Sequence, residues 1–168
     1  GEMYRFVREE GSSKVYLADV LSLPDYNGIY MRSFTTDGDY LYLTPCDGTI
    51  LKTLKSNLEI VDTYIVPSEL AGLIQVTPIQ DYFYITVSTN DLGDASYATI
   101  VRTKDLASLA SGEYEVLYDT FDSVGTPYYI SSFDGHYYLT HHCYISTYGV
   151  WEFDVVENEL MDVKVLLP

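Results

Sequence analysis

The stretch Y-L-Y-L-T at residues 40–44 returns as Y-F-Y-I-T at 82–86 and as H-Y-Y-L-T at 136–140. Each copy alternates large apolar or aromatic residues with residues that tolerate water, which is the two-residue period of a strand with two unlike faces. Tyr42, Tyr84 and Tyr138 hold equivalent places in the three copies. Working outward from the first copy, Met31–Thr35 reads as a strand A, a D-G turn follows at Asp37-Gly38, and Tyr40–Thr44 is strand B. A second D-G turn at Asp47-Gly48 leads into strand C, Thr49–Leu54, and strand D takes Glu59–Val66 before Pro67. Asp-Gly between alternating apolar runs is a strong hairpin signal, because tight hairpin turns require the positive φ that glycine adopts at little cost.

The second unit repeats the order with Leu73–Thr77, Tyr82–Val87, Tyr97–Thr103 and Tyr114–Asp119. Its additional length falls in the loop 88–94 and in 104–112, where Leu106, Leu109 and Ala110 at helical spacing predict a short helix stopped by Gly112. The third unit is read as Tyr128–Ser132, the Asp134-Gly135 turn, His136–Ile145, Gly149–Asp154 and Met161–Leu167. Residues 1–24 lack the A and B phrases but offer Met3–Glu9 and Lys14–Leu21 in the style of strands C and D. Units of about 40 to 50 residues with four strands each have the period of β-propeller blades. The expectation is therefore an all-β chain forming a single propeller-like domain over 1–168, with a half blade at 1–24 and blades at about 29–67, 72–120 and 127–168. Such a count leaves three arrangements open: a segment of a larger propeller, two copies completing one ring as a homodimer, or missing strands supplied by a partner, since open sheet edges are avoided in natural proteins.

Bulk composition narrows the partners. Nine Lys and Arg stand against 25 Asp and Glu, a formal charge of −16 that repels nucleic-acid phosphates and anionic lipid surfaces. No apolar run reaches the roughly 20 residues of a membrane helix, so membrane insertion by a helix is not expected, and no signal peptide is read at the start. The 18 Tyr outnumber 6 Phe and 1 Trp, which suits half-buried strands whose hydroxyls reach polar partners. Cys46 and Cys143 follow second strands in units separated by a whole blade, too far apart for the Cα spacing of a disulfide, and both are expected as thiols.

The phrase D-G-[D/H]-Y-[L/Y]-Y-L together with D-G-T-I-L-K-T-L resembles the repeats of bacterial extracytoplasmic β-propellers, the broad group similar to YWTD, NHL and domain-of-unknown-function propellers. The likeness runs over residues 31–168. It implies a propeller fold, an extracytoplasmic setting in a bacterium and the binding of a protein or glycan ligand, and it carries over no catalytic residue.

Candidate chemistry concentrates in loops. In a propeller the D-to-A and B-to-C connections share one rim, which would gather 25–28, 45–48, 90–94 and 141–148. The ligand-binding candidates on and beside that rim are Tyr26, Arg32, Asp47, Asn90, Asp91, Asp94, His141, His142 and Tyr144. Tyr26, Tyr30, Tyr128, Tyr129 and Tyr144 near strand ends suit stacking on sugar faces, while Tyr42, Tyr84 and Tyr138, recurring at one place per unit, suit the space between stacked sheets. Arg32, on an innermost strand, fits either a structural pair or an anion ligand. His136, His141, His142 and Cys143 are soft donors, but strand alternation splits them between two faces, so neither a transition-metal site nor any other cofactor is expected. Asn90, Asp91 and Asp94 offer oxygens to Ca²⁺ without the twelve-residue EF-hand pattern. No G-x-S-x-G or H-E-x-x-H occurs, and the reading is a non-catalytic binding scaffold. Its alternative is a polysaccharide-acting or lyase-like enzyme using His136, His141, His142 and Arg32.

Overall fold

The computed structural model describes residues 2–23, 25, 29–88, 98–119, 126–142, 148–156 and 159–167. They form an all-β structure of fourteen strands in four antiparallel sheets, with one short α-helix and one 3₁₀ turn. A hairpin of β1 (Glu2–Arg8) and β2 (Val15–Ser22) precedes three sheets of four strands, each a meander in chain order. Sheet one is β3 (Met31–Asp37), β4 (Tyr40–Pro45), β5 (Thr49–Leu54) and β6 (Ile60–Ile65). Sheet two is β7 (Leu73–Ile79), β8 (Tyr82–Ser88), β9 (Ala98–Thr103) and β10 (Glu115–Asp119), with α1 (Leu106–Ala110) between its last two strands. Sheet three is β11 (Thr126–Phe133), β12 (His136–His142), β13 (Tyr148–Val156) and β14 (Glu159–Leu167).

The turns follow from local chemistry. Gly38, Gly48 and Gly135 sit at φ of 51°, 78° and 84°, the conformations for which the three D-G pairs were read. The helix begins where the Asp105 side chain caps the Ser108 N–H at 2.7 Å, and the bonds from the Ser108 N–H and hydroxyl hold the Asp105 carboxyl below its ordinary range.

Because both faces of a four-stranded sheet in this chain carry apolar residues, each sheet needs a neighbour. Tyr42 and Ile50 of sheet one pack with Val76, Ile85 and Val101 of sheet two, and Leu106 and Leu109 of α1 close the same core. Tyr84 and Ile100 on the opposite face of sheet two pack with Ile130, Leu139, Trp151 and Phe153 of sheet three. Leu43 and Leu51 on the remaining face of sheet one pack with Met3 and Leu21 of the first hairpin and with Leu23 just after it. The sheets thus stack in chain order, each using one face toward its predecessor and the other toward its successor.

A repeated polar contact fixes that stacking. The first strand of every sheet carries a bulge at the same place, with register shifts between Met31 and Ser33, Leu73 and Gln75, and Pro127 and Tyr129. The bulged residues are Arg32, Ile74 and Tyr128. A bulge turns a peptide out of its own ladder, and here the freed carbonyls accept from the preceding sheet: Thr44 donates to the Ile74 carbonyl at 2.8 Å and Thr86 to the Tyr128 carbonyl at 2.7 Å. Thr44 also accepts from the Ser33 N–H of its own sheet at 3.1 Å. The buried Gln75 side chain adds a bond from the Ile130 N–H at 2.6 Å. The threonine that ends the Y-x-Y-x-T phrase is therefore the clasp between successive sheets.

Sheet three departs from the expectation at this point. Tyr42 and Tyr84 fill the space between sheets, but Tyr138, on the outer face of the last sheet, is only half-buried. Thr140 keeps the bond from the Tyr129 N–H of its own sheet, at 3.2 Å, with no following sheet beside it among the described residues.

Two outcomes are expected. Thr86→Val removes the hydroxyl donated to the Tyr128 carbonyl and should cost about 1–3 kcal/mol; Thr44→Val should cost less, because the Ser33 hydroxyl still donates to the Ile74 carbonyl at 2.9 Å, and Thr140→Val should cost roughly 0.5 kcal/mol or less, as a more exposed change does; urea denaturation measures all three. Burial, then the charge of Asp37, pushes Tyr42 up to about 12 from an ordinary value of 10.0. The folded state holds that proton longer than the unfolded chain, so the associated stability is complete below about pH 10 and is lost as the pH rises toward 12. Denaturation midpoints should fall over that window, and the fall should be smaller in Tyr42→Phe.

Candidate functional site

The bulges and the inter-sheet clasps bring the first strands of the three sheets side by side, and a cavity of about 610 Å³ lies across them. Its walls come from β3 (Arg32, Phe34), β7 (Gln75) and β11 (Tyr129, Ser131), with Thr140 of β12 at one side. The Tyr129 hydroxyl spans the cleft and donates to the Arg32 carbonyl at 3.2 Å, tying sheet three directly to sheet one. Tyr129 also meets Tyr128 edge-on, with ring centroids 5.6 Å apart.

Arg32, read as an innermost-strand cation, lines this cleft, and its Nε donates to the Cys46 sulfur at 2.9 Å. Cys46 is a free thiol; Cys143 lies outside the described residues. The Cys46 N–H in turn bonds the Tyr30 carbonyl at 2.9 Å, so the residues entering β3 and those leaving β4 meet at one end of sheet one. Asp47 serves the turn there: its side chain accepts from the Thr49 N–H at 2.9 Å.

Of the remaining candidates, Tyr26, Asn90, Asp91, Asp94 and Tyr144 lie outside the described residues, as do residues 89–94 of the loop proposed for Ca²⁺. His141 and His142 are placed by their backbone in β12, opposite Gly149 and Tyr148. Among the described residues no three His, Cys, Asp or Glu side chains converge to hold a metal ion. His136 instead pairs with Asp154 at 2.8 Å on the outer face of sheet three.

Two groups were missed by sequence reasoning. Phe34 and Tyr129 flank the cleft, yet only Tyr129 was singled out; the signal for Phe34 was its place two residues beyond a bulge that no sequence feature announced. Arg102, nearly buried, reaches Glu115 at 2.8 Å and lies over the Tyr82 ring, a cross-strand pair legible only once the register is known.

No protein-family model matches the chain, and no curated protein matches it either. The site is therefore described by its own geometry: an aromatic and polar groove, carrying one guanidinium, on the shared edge of three stacked sheets. Replacing Arg32 by Ala should remove the side chain that covers the Cys46 sulfur, so maleimide should label Cys46 faster than in the unchanged chain, with mass spectrometry locating the adduct.

Proposed function

We propose that the chain is a propeller-type binding scaffold, its three four-stranded sheets acting as successive blades, and that the cleft across the first strands receives a glycan. The observation that carries this reading is the pairing of Phe34 and Tyr129 around Arg32 on strands held in place by buried clasps. Aromatic rings on a rigid support stack on the apolar faces of sugars with little loss of side-chain entropy, and Arg32, Gln75 and Ser131 offer donors and acceptors to hydroxyl groups. Fixed strands preorganise the groove, which lowers the ordering cost of binding. An extracytoplasmic setting belongs to the same proposal. Protein ligands recognised through the loop rim are the wider class to which this scaffold reading also extends.

Isothermal titration against a panel of neutral and acidic oligosaccharides tests the proposal. Binding is expected for at least one member, with Tyr129→Ala weakening it by roughly tenfold or more, the scale of losing a central aromatic anchor. Absence of binding across the panel, or binding that Tyr129→Ala and Arg32→Ala leave unchanged, would overturn it. Turnover of a polysaccharide would instead favour the enzymatic alternative.

A further inference from the structure

The first hairpin is half of a sheet. The third strand of each complete sheet carries an apolar residue, a second apolar residue and a charge: Ile50-Leu51-Lys52, Ile100-Val101-Arg102 and Val150-Trp151-Glu152. β1 carries the same triplet as Met3-Tyr4-Arg5. Each charge faces its opposite on the fourth strand. Lys52 stands across from Asp62, Arg102 binds Glu115 at 2.8 Å, Glu152 meets Lys164 at 3.4 Å with the signs reversed, and Arg5 pairs with Asp19 of β2. The first member of the triplet faces the following sheet wherever one is packed against it: Ile50 and Ile100 do so, and Met3 packs toward Leu43 and Leu51. β1 and β2 therefore occupy the places of a third and fourth strand.

In the complete sheets the second strand lies against that triplet in one register. Leu43 and Tyr42 face Leu51 and Lys52; Ile85 and Tyr84 face Val101 and Arg102; Leu139 and Tyr138 face Trp151 and Glu152. Among the described residues β1 pairs with β2 alone, so its other edge presents unpaired backbone groups. Beside that edge lies a cavity of about 580 Å³, bordered by Glu2–Arg5 and floored by Phe34, Thr36 and Leu41 of sheet one. The floor is the face that a preceding sheet's first two strands cover elsewhere. Val76 and Ile130, the counterparts of Phe34 opposite Ile85 and Leu139, are 1% and 3% exposed, whereas Phe34 is 65% exposed. The Arg32 carbonyl, counterpart of the two carbonyls that accept from Thr44 and Thr86, accepts from the Tyr129 hydroxyl at 3.2 Å, and a carbonyl oxygen has two lone pairs.

We infer that the free edge of β1 and this cavity form a strand-addition site whose ligand is a β-hairpin of the chain's own repeat type. Its second strand adds antiparallel to β1 with a tyrosine opposite Arg5, an aliphatic residue opposite Tyr4 and a threonine opposite Met3, from which the hydroxyl reaches the Arg32 carbonyl. Main-chain hydrogen bonds along the edge supply the affinity, and alternate side chains entering the apolar cavity supply the selectivity. The occupant follows from continuity with the two inter-sheet interfaces already built inside the chain, which use the same register, the same clasp and the same floor positions. The site borders the glycan cleft and shares Met31 and Phe34 with it, but it is tested by a separate readout, the backbone amides of Glu2–Arg5.

The probe is a synthetic peptide with the sequence of residues 31–45, which contains a first strand, a D-G turn and a second strand ending in Y-L-Y-L-T. It is added to the full 168-residue chain, and amide hydrogen exchange is followed residue by residue. The expected result is exchange slowed at least tenfold over Glu2–Arg5, with β12–β14 unchanged, and no slowing with a scrambled peptide. Phe34→Asp, a change at an exposed position that leaves the fold intact, should weaken the effect at least tenfold. Unchanged exchange at millimolar peptide, or equal slowing by the scrambled sequence, overturns the inference. Slowing that follows the concentration of the chain itself, with a dimer by light scattering and no dependence on peptide, also overturns it by making a second copy the occupant. Neither result bears on oligosaccharide binding at Tyr129, so the two readings fail separately.

Discussion

The hydrogen bond from a threonine hydroxyl to a bulged carbonyl of the next sheet is the contact on which the rest of the molecule depends. Thr44 to Ile74 and Thr86 to Tyr128 are side-chain bonds between packed sheets, where water is scarce and a lost hydrogen bond is costly, and the Ser33 hydroxyl adds a second bond to the Ile74 carbonyl at 2.9 Å. Apolar burial alone would allow two sheets to slide over one another, since it has no direction. A clasp that requires one hydroxyl to meet one carbonyl sets both the spacing and the register of the stack. The bulge favours this, because a peptide turned out of its ladder has a carbonyl released from its strand partner.

From that clasp follow the positions of everything with chemical interest. Joining sheets at their first strands aligns β3, β7 and β11 along one edge, and the groove with Arg32, Gln75 and Tyr129 is the result. Each sheet has one face that gives a clasp and one that receives it, so the stack is directional and its two ends are unlike. At one end Tyr138 and Thr140 form a giving face, on which Glu152, Lys164, His136 and Asp154 satisfy one another. Desolvation and then the charge of Glu152 raise the Tyr138 hydroxyl above its ordinary range. At the other end the hairpin leaves Phe34 uncovered and turns Tyr4, Phe6, Leu17 and Val20 outward. An apolar patch of this kind on a sheet usually marks a contact surface.

Much of the fold was legible because strand alternation and turn chemistry are local. The spacing of Y-L-Y-L-T to its two copies placed β4, β8 and β12, and the D-G pairs placed their turns. Leu106, Leu109 and Ala110 placed the helix for the same reason. The half sheet at the start was legible as two strands, but its register was not, since a three-residue pattern such as Met3-Tyr4-Arg5 gains meaning only when Asp19 is known to stand across from Arg5. Burial was the least legible property. Nothing within Y-x-Y-x-T distinguishes Tyr84 from Tyr138; the difference lies in whether a sheet follows. For the site, Arg32 and Tyr129 were reached by reasoning from strand position, whereas Phe34 and Gln75 depend on bulges that leave no mark in composition. Asp47, read as a loop ligand, also accepts from the Thr49 N–H, a turn contact that its sequence surroundings equally suit.

Residue-resolved amide hydrogen exchange of the chain on its own tests the directional stack most directly. The slowest exchange should fall in β8 and β9 of sheet two, which has neighbours on both faces, and protection should decline toward both ends, with the edge of β1 exchanging fastest among the strands. Equal protection in β1 and β8, or a maximum in β13 and β14, would contradict a stack built by one-way clasps from each sheet to the next.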